Sequence, residues 1–320
     1  MKKLYLHIGA HKAASTTIQK NLIENRELLL ERDGVRFLSR HDLSNSSFIE
    51  HFKNLSRRKG LQESEYRKSL EVARSSIVET VNEFNEEEIF ISWEGIFGHS
   101  ALDIYEGIYT HVERVAESLV YIADKIDIKV LLIVRRQDEF IESCYLQQVK
   151  ERRTITFDEF TDKININNIS WYEITKVLDK YLGEKIKIVP FEYIKDVGTR
   201  SFIEFVLFVL TGREILLDGF SITEKSNPSY SQYGVEMALE LLPKLNKESQ
   251  VKVGKMLFNE LGNDKFKKAR FFSNFNRSIL LEFVQKDNTS LLDEYIYPVL
   301  QTKNIDLGCT ITKNDWENKE

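Results

Sequence analysis

The chain has 320 residues, 42% hydrophobic, 30% charged and 11% aromatic, and its 45 basic and 50 acidic side chains leave a net charge of −5. This balance excludes intrinsic disorder, a fibrous repeat and a strongly basic nucleic-acid binder, and a folded chain this long buries about three quarters of its extended surface. Four prolines and 14 glycines point to long regular elements with few linkers.

Residues 3–9 read as a short buried strand ending at Gly9. Ile18, Leu22, Leu29 and Leu30 then follow helical spacing up to a stop at Gly34, and Val35 to Leu38 suit a small strand. Residues 40–60 are polar, include Arg57-Arg58-Lys59-Gly60, and read as a surface loop. Tyr66, Leu70, Ala73, Ile77, Val81 and Phe84 make a helical stripe, Ile89 to Ser92 a strand, and Ile104 to Ile122 a further helical stripe. Ile128 to Val134 is the clearest strand, a nearly continuous apolar run of the kind found in parallel sheets covered on both faces. A helix carrying Phe140, Ile141, Cys144 and Tyr145 follows. Trp171 to Leu182 is a helix stopped by Gly183, and Lys185 to Val189 a last strand. Beyond about residue 199 the pattern is almost wholly helical. Strands alternating with helices predict an α/β class: a mainly parallel central sheet flanked by helices, with a helical C-terminal part. The expected organisation is one domain over 1–320, with residues 1–198 forming the α/β core and 199–320 the helical part.

Cys144 and Cys309 have no metal-ligand spacing and read as reduced thiols. The apolar run Phe202 to Leu210 is far short of a membrane span, and Lys2 and Lys3 precede too short an apolar stretch for a signal peptide. The expectation is a cytoplasmic protein with no transmembrane segment, no nucleic-acid partner and no metal. Its richness in Lys, Ile and Asn has a bacterial flavour.

In parallel sheets ligands bind beyond the C-terminal ends of the strands, and three such ends carry polar residues. The first is Gly9-Ala10-His11-Lys12-Ala13-Ala14-Ser15-Thr16-Thr17. A strand feeds a loop of small residues, then a helix whose first turn offers free N–H groups, hydroxyls and a positive dipole end to a phosphate or sulfate. Plain N-capping with a solvated lysine is the competing reading. The second is Val134-Arg135-Arg136-Gln137-Asp138-Glu139-Phe140-Ile141-Glu142-Ser143-Cys144-Tyr145, in which Ser143 follows Arg135 by eight residues. An arginine fork and a hydroxyl can hold a phosphate, although strand-end arginines commonly make salt bridges.

The first segment is not a Walker A loop, because its lysine precedes the small residues. In His7-Ile8-Gly9, His11-Lys12, Ser15-Thr16-Thr17 and Gln19 it resembles the 5′-phosphosulfate loop of the sulfotransferase family, departing at Ala13 and Ala14, where that family usually has Thr and Gly. The spacing Arg135, Ser143, Tyr145 resembles the family's 3′-phosphate segment, and Arg277 to Asn288 resembles its closing helices. The resemblance implies a P-loop-like fold and 3′-phosphoadenosine 5′-phosphosulfate (PAPS) as donor, with PAP as product. Lys12, Ala13, Ala14, Ser15, Thr16 and Thr17 would hold the 5′-phosphosulfate, and Arg135 and Ser143 the 3′-phosphate. Lys12 would also stabilise the leaving phosphate.

The third strand end is Ile91-Ser92-Trp93-Glu94-Gly95. Glu94 is the first choice of base for taking the acceptor proton, with His11 and His99 as rivals. Lys225 to Ser231 reads as a loop with Ser231 capping a helix, Trp93 and Trp171 as core residues, and Arg152, Arg153, Lys265, Lys267, Lys268 and Arg270 as solvated charges. The reading is a sulfotransferase acting on a hydroxyl, of a carbohydrate or glycolipid by analogy with bacterial relatives. A nucleotide-dependent kinase and a non-catalytic nucleotide- or glycan-binding descendant are the alternatives.

Overall fold

The computed structural model describes residues 1–57, 62–224, 229–302 and 316. Its centre is a parallel sheet of β1 (Lys3–Gly9), β2 (Val35–Ser39), β3 (Glu88–Ser92), β4 (Asp127–Val134) and β5 (Ile186–Pro190), in the order β2-β3-β1-β4-β5. Leu4 lies between Ile89 of β3 and Ile128 of β4, and all three are fully buried. Sheets covered on both faces favour such continuous apolar runs, so these strands were legible as strands. The connections from β1 run to one side of it and the later ones to the other. The topological switch, where ligands bind, is therefore at the C-terminal end of β1.

The helices between the strands are α1 (Ser15–Glu24), α2 (Arg26–Asp33), α3 (Ser47–Arg57), α4 (Glu63–Asn82), α5 (Leu102–Tyr105), α6 (Val112–Ala123), α7 (Gln137–Lys150), α8 (Phe157–Thr161) and α9 (Trp171–Leu182). After β5 come α10 (Tyr193–Thr211), α11 (Gln232–Leu241), α12 (Lys247–Glu260), α13 (Asn274–Leu291) and α14 (Tyr297–Gln301).

Three stretches depart from the sequence reading. Residues 47–57 form α3 where a surface loop was expected. Phe48, Ile49, Phe52 and Leu55 recur at helical spacing and are buried, a signal diluted by the Ser, Asn and Lys residues between them. The stripe from Ile18 to Leu30 is two helices, because Asn25 leaves helical geometry at φ −118°. Its amide donates to the Asn21 carbonyl at 2.7 Å and to the Ser221 carbonyl at 2.9 Å, while its own oxygen accepts from the Ser221 N–H at 2.8 Å. The stripe from Ile104 to Ile122 is broken at Gly107, whose φ is 155°. A β-carbon at Gly107 would stand 2.3 Å from that of Asn168, so the chain there passes too close for any side chain.

Two further expectations, buried tryptophans and a serine-capped helix, match the structure. Trp93 and Trp171 are core residues. The Ser231 side chain accepts from the Gly234 N–H and caps α11. Arg58 to Gly60, Lys225 to Pro228 and Cys309 lie outside the described residues. No helix among the described residues is long and apolar enough to cross a membrane.

Candidate active site

A cleft of about 720 Å³ opens over the C-terminal ends of β1, β3 and β4. Its lining includes His11, Lys12, Ala14, Ser15, Thr16 and Thr17 from the first loop and helix, Glu94 after β3, and Arg135 and Ser143 after β4. The three strand ends singled out in the sequence therefore share one space. Ala13 is the exception, fully buried and outside the lining.

The β1–α1 loop takes an unusual path. Lys12 and Ala14 both adopt left-handed backbone, at φ 62° and 63°. Ala14 is the N-cap of α1 and supplies no side-chain cap, so it offers no oxygen to the N–H groups of the first turn. Ser15 is buried, and its hydroxyl donates to the Ala10 carbonyl at 3.2 Å, stapling the loop, while Thr16 is exposed. Lys12 Nζ reaches Gln147 Oε1 at 3.4 Å. Burial, and then the like charges of Lys150 and Arg135, pull the Lys12 ammonium pKa below its ordinary value.

Glu94 begins the short turn after β3, and its Oε2 accepts from Gln19 Nε2 at 2.8 Å. Burial presses its carboxyl up, but His11, its own backbone N–H and the Gln19 amide outweigh that and hold it below the ordinary carboxylate range. Burial also lowers the His11 ring, with the charges of His99 and Lys12 acting the same way against Glu94. At neutral pH the cleft therefore holds a Glu94 carboxylate beside an uncharged His11. His99 also lines the cleft, its ring 6.4 Å from that of His11 between centroids.

Arg135 leaves β4 with its backbone carbonyl accepting from Trp171 Nε1 at 2.7 Å and its guanidinium over the Phe191 ring at 4.8 Å. Its Nη1 donates to the Lys12 carbonyl at 3.0 Å, tying the two motifs together, and its Nη2 to Glu139 at 2.6 Å. The buried Nε–H has no acceptor among the described residues. Burial raises the Glu139 carboxyl, but Arg135, Lys195 and Lys268 outweigh it and bring it down to about 2.

Gln137 and Asp138 lie outside the cleft lining, whereas Glu142 lines the cleft and also reaches the C-terminal segment. Asp138 pairs with Arg136 at 2.7 Å and with Arg277 on α13. Glu142 accepts from the N–H groups of Phe271 and Phe272 at 2.8 and 3.1 Å and from Arg277 at 2.9 Å. Gln137 and Asn288 exchange amide hydrogen bonds of 2.7 and 3.2 Å, both fully buried. Arg277 and Asn288 thus dock directly on the strand-end motif.

Lys268 and Arg270 are exposed, as expected of solvated charges, and both also line the cleft. Arg270 stands 3.3 Å from Glu142 and 3.6 Å from Glu139. The partners of Arg270 lie on α7, well over a hundred residues away, so no local pattern marks it. Arg153 likewise holds the buried Asp103, at 2.8 and 2.5 Å. Lys195, which also lines the cleft, had no sequence signal at all.

No protein-family model matches the chain, and no curated protein matches it by sequence. A solved structure of retinol dehydratase, in complex with androsterone and inactive cofactor PAP, is similar to it at 11% identity and a TM-score of 0.36, the match covering 92% of this chain and 81% of that one. A likeness this distant assigns no residue a role.

Proposed function

We propose that this chain is a sulfotransferase that moves a sulfuryl group from PAPS to an acceptor hydroxyl. The observation that carries the reading is convergence: Lys12, Glu94 and Arg135, each at the end of a different strand, line one cleft with the uncapped start of α1. The buried Nε–H of Arg135 and the first turn of α1, both without a side-chain acceptor among the described residues, suit a ligand with phosphate at both ends.

In this reading the donor supplies an activated sulfuryl group bridged to phosphate. The α1 N-terminus with Thr16, Thr17 and Ser15 holds the 5′-phosphosulfate, while Arg135 and Ser143 hold the 3′-phosphate. Glu94 takes the proton of the acceptor hydroxyl as its oxygen bonds to sulfur. The bridging S–O bond breaks with its electron pair left on the phosphate, and Lys12 offsets that charge. Lys12 is held close by Arg135 through its own backbone, so donor binding and catalysis are coupled in this loop.

The acceptor is proposed to be a carbohydrate or glycolipid. Arg40, Ser229 and Asn263 also line the cleft, and such hydrogen-bonding groups suit a polyhydroxylated molecule. We place the reaction in the cytoplasm on the sequence grounds above.

Thermal unfolding tests the donor site. PAP should raise the melting temperature while ATP with Mg²⁺ does not, by about 2.7 kcal/mol of stabilisation at a hundredfold excess over Kd. Lys12→Ala should remain folded and lose PAPS turnover. Stabilisation by ATP with Mg²⁺ alone would turn the reading toward a kinase, and PAP binding without any turnover toward a non-catalytic descendant.

A further inference from the structure

His11 and Tyr109 form a built pair at the edge of the cleft. The His11 backbone N–H donates to the Tyr109 hydroxyl oxygen at 2.9 Å, and His11 Nδ1 lies 3.3 Å from that same oxygen. Tyr109 is 2% exposed, and its ring packs edge-on against Phe97, Phe140 and Trp171. A β-carbon at Gly98 would stand 2.1 Å from that ring, so the tyrosine occupies a slot that only glycine leaves open.

The hydroxyl carries a single proton, and its oxygen already accepts from the backbone. If Nδ1 also donated to it, the buried O–H would be left without an acceptor among the hydrogen bonds at this site. If the O–H donates to Nδ1 instead, every group in the pair is satisfied. Nδ1 must then be bare, and the ring carries its proton on Nε2, the opposite edge. We propose that Tyr109 is a positioning residue that fixes His11 as the neutral Nε2–H tautomer, so that His11 is a hydrogen-bond donor to the sulfuryl group and not the base. The assignment of its partner rests on the sulfotransferase reading of the cleft, whereas the tautomer does not.

The groups that bear on this ring are Glu94, His99, Lys12 and Glu151. Burial keeps the ring uncharged, and it holds the Tyr109 hydroxyl protonated by pushing its pKa well up. With its proton outward, His11 has no lone pair to offer an acceptor hydroxyl, which leaves Glu94 to take that proton.

The test is a two-bond ¹H–¹⁵N correlation spectrum of ¹⁵N-histidine protein at pH 7, with the His11 signals identified by their loss in His11→Gln. The expected wild-type pattern is protonated Nε2 and bare Nδ1, becoming a mixture of tautomers in Tyr109→Phe. A protonated Nδ1 in the wild type overturns the proposal. Calorimetry with PAPS and PAP then tests the donor role. His11→Ala should weaken PAPS about tenfold more than PAP, and His11→Gln, which carries an N–H at similar reach, should restore most of that loss. Equal losses for the two nucleotides, or no rescue by Gln, overturn the donor role. Failure of wild type to bind either nucleotide, with the tautomer as stated, sinks the sulfotransferase reading and leaves the tautomer standing.

Discussion

Ala14 stands at φ 63°, a conformation in which the β-carbon crowds the following carbonyl. The left-handed turn costs an alanine roughly 1–2 kcal/mol, while glycine adds somewhat under 1 kcal/mol of chain entropy to the unfolded state. Ala14→Gly should therefore stabilise the protein by about 0.5–1 kcal/mol, read as a higher urea midpoint; a lower midpoint would mean that the β-carbon contributes packing. Glu139 is a second position where one residue decides much. Its carboxylate occupies the Arg135 Nη2 that a phosphate would use, and Lys195 and Arg270 stand 3.8 and 3.6 Å away, ready to retain it when Arg135 is taken. Removing that competitor by Glu139→Gln should tighten PAP binding, by on the order of tenfold for 1.4 kcal/mol. Weaker binding by calorimetry would instead make Glu139 the group that aims Arg135.

At the scale of elements, α7 works in two directions. It presents Glu142, Ser143 and Gln147 to the cleft, and it grips the C-terminal segment through Gln137, Asp138 and Glu142. Asp138 is fully buried between Arg136 and Arg277, so Asp138→Asn removes the carboxylate that both guanidinium groups share and leaves Arg277 with Glu142 alone. That change should cost about 3 kcal/mol, with α13 becoming the first region cut in limited proteolysis. Unchanged stability and cleavage would show that the Glu142 contacts alone hold α13. This grip also marks where sequence reading stops. The strands and the three strand ends were legible because their signals are local: continuous apolar runs closed by polar residues. The work of Asp138 and Glu142 depends on Arg277, and the place of Lys268 rests on a backbone bridge to Ser231, contacts that no spacing along the chain encodes. Helix α3 was hidden differently, since its buried Phe48, Ile49, Phe52 and Leu55 sit in a composition typical of loops.

Across the whole molecule, buried histidines set the response to acid. His7 pairs with Ser92 at 2.8 Å, and His51 bridges Ser69 and Ser118 at 2.8 and 2.9 Å. Burial brings each ring down to about 4 from an ordinary 6.5. Between those values the unfolded chain binds protons that the folded chain refuses, so stability is full above pH 6.5 and falls as pH drops toward 4. By pH 5 the loss should be about 2 kcal/mol per ring. Equal urea midpoints at pH 7 and pH 5 would contradict it. We also propose that the chain unfolds as one unit, because the α7 contacts tie both halves of the sequence together.

Those contacts have a consequence for how the protein is made. The sheet is complete once Pro190 has been synthesised, yet the buried amide of Gln137 meets its partner only when Asn288 arrives. At the usual pace of translation that gap lasts about 5–20 s. For that interval a nascent chain displays Gln137 and Glu142 without their later partners, and Asp138 with Arg136 alone, on a sheet whose C-terminal cover has yet to arrive. A ribosome-bound chain lacking those partners is open to wrong ones for that interval, and slower decoding downstream of β5 would lengthen its exposure.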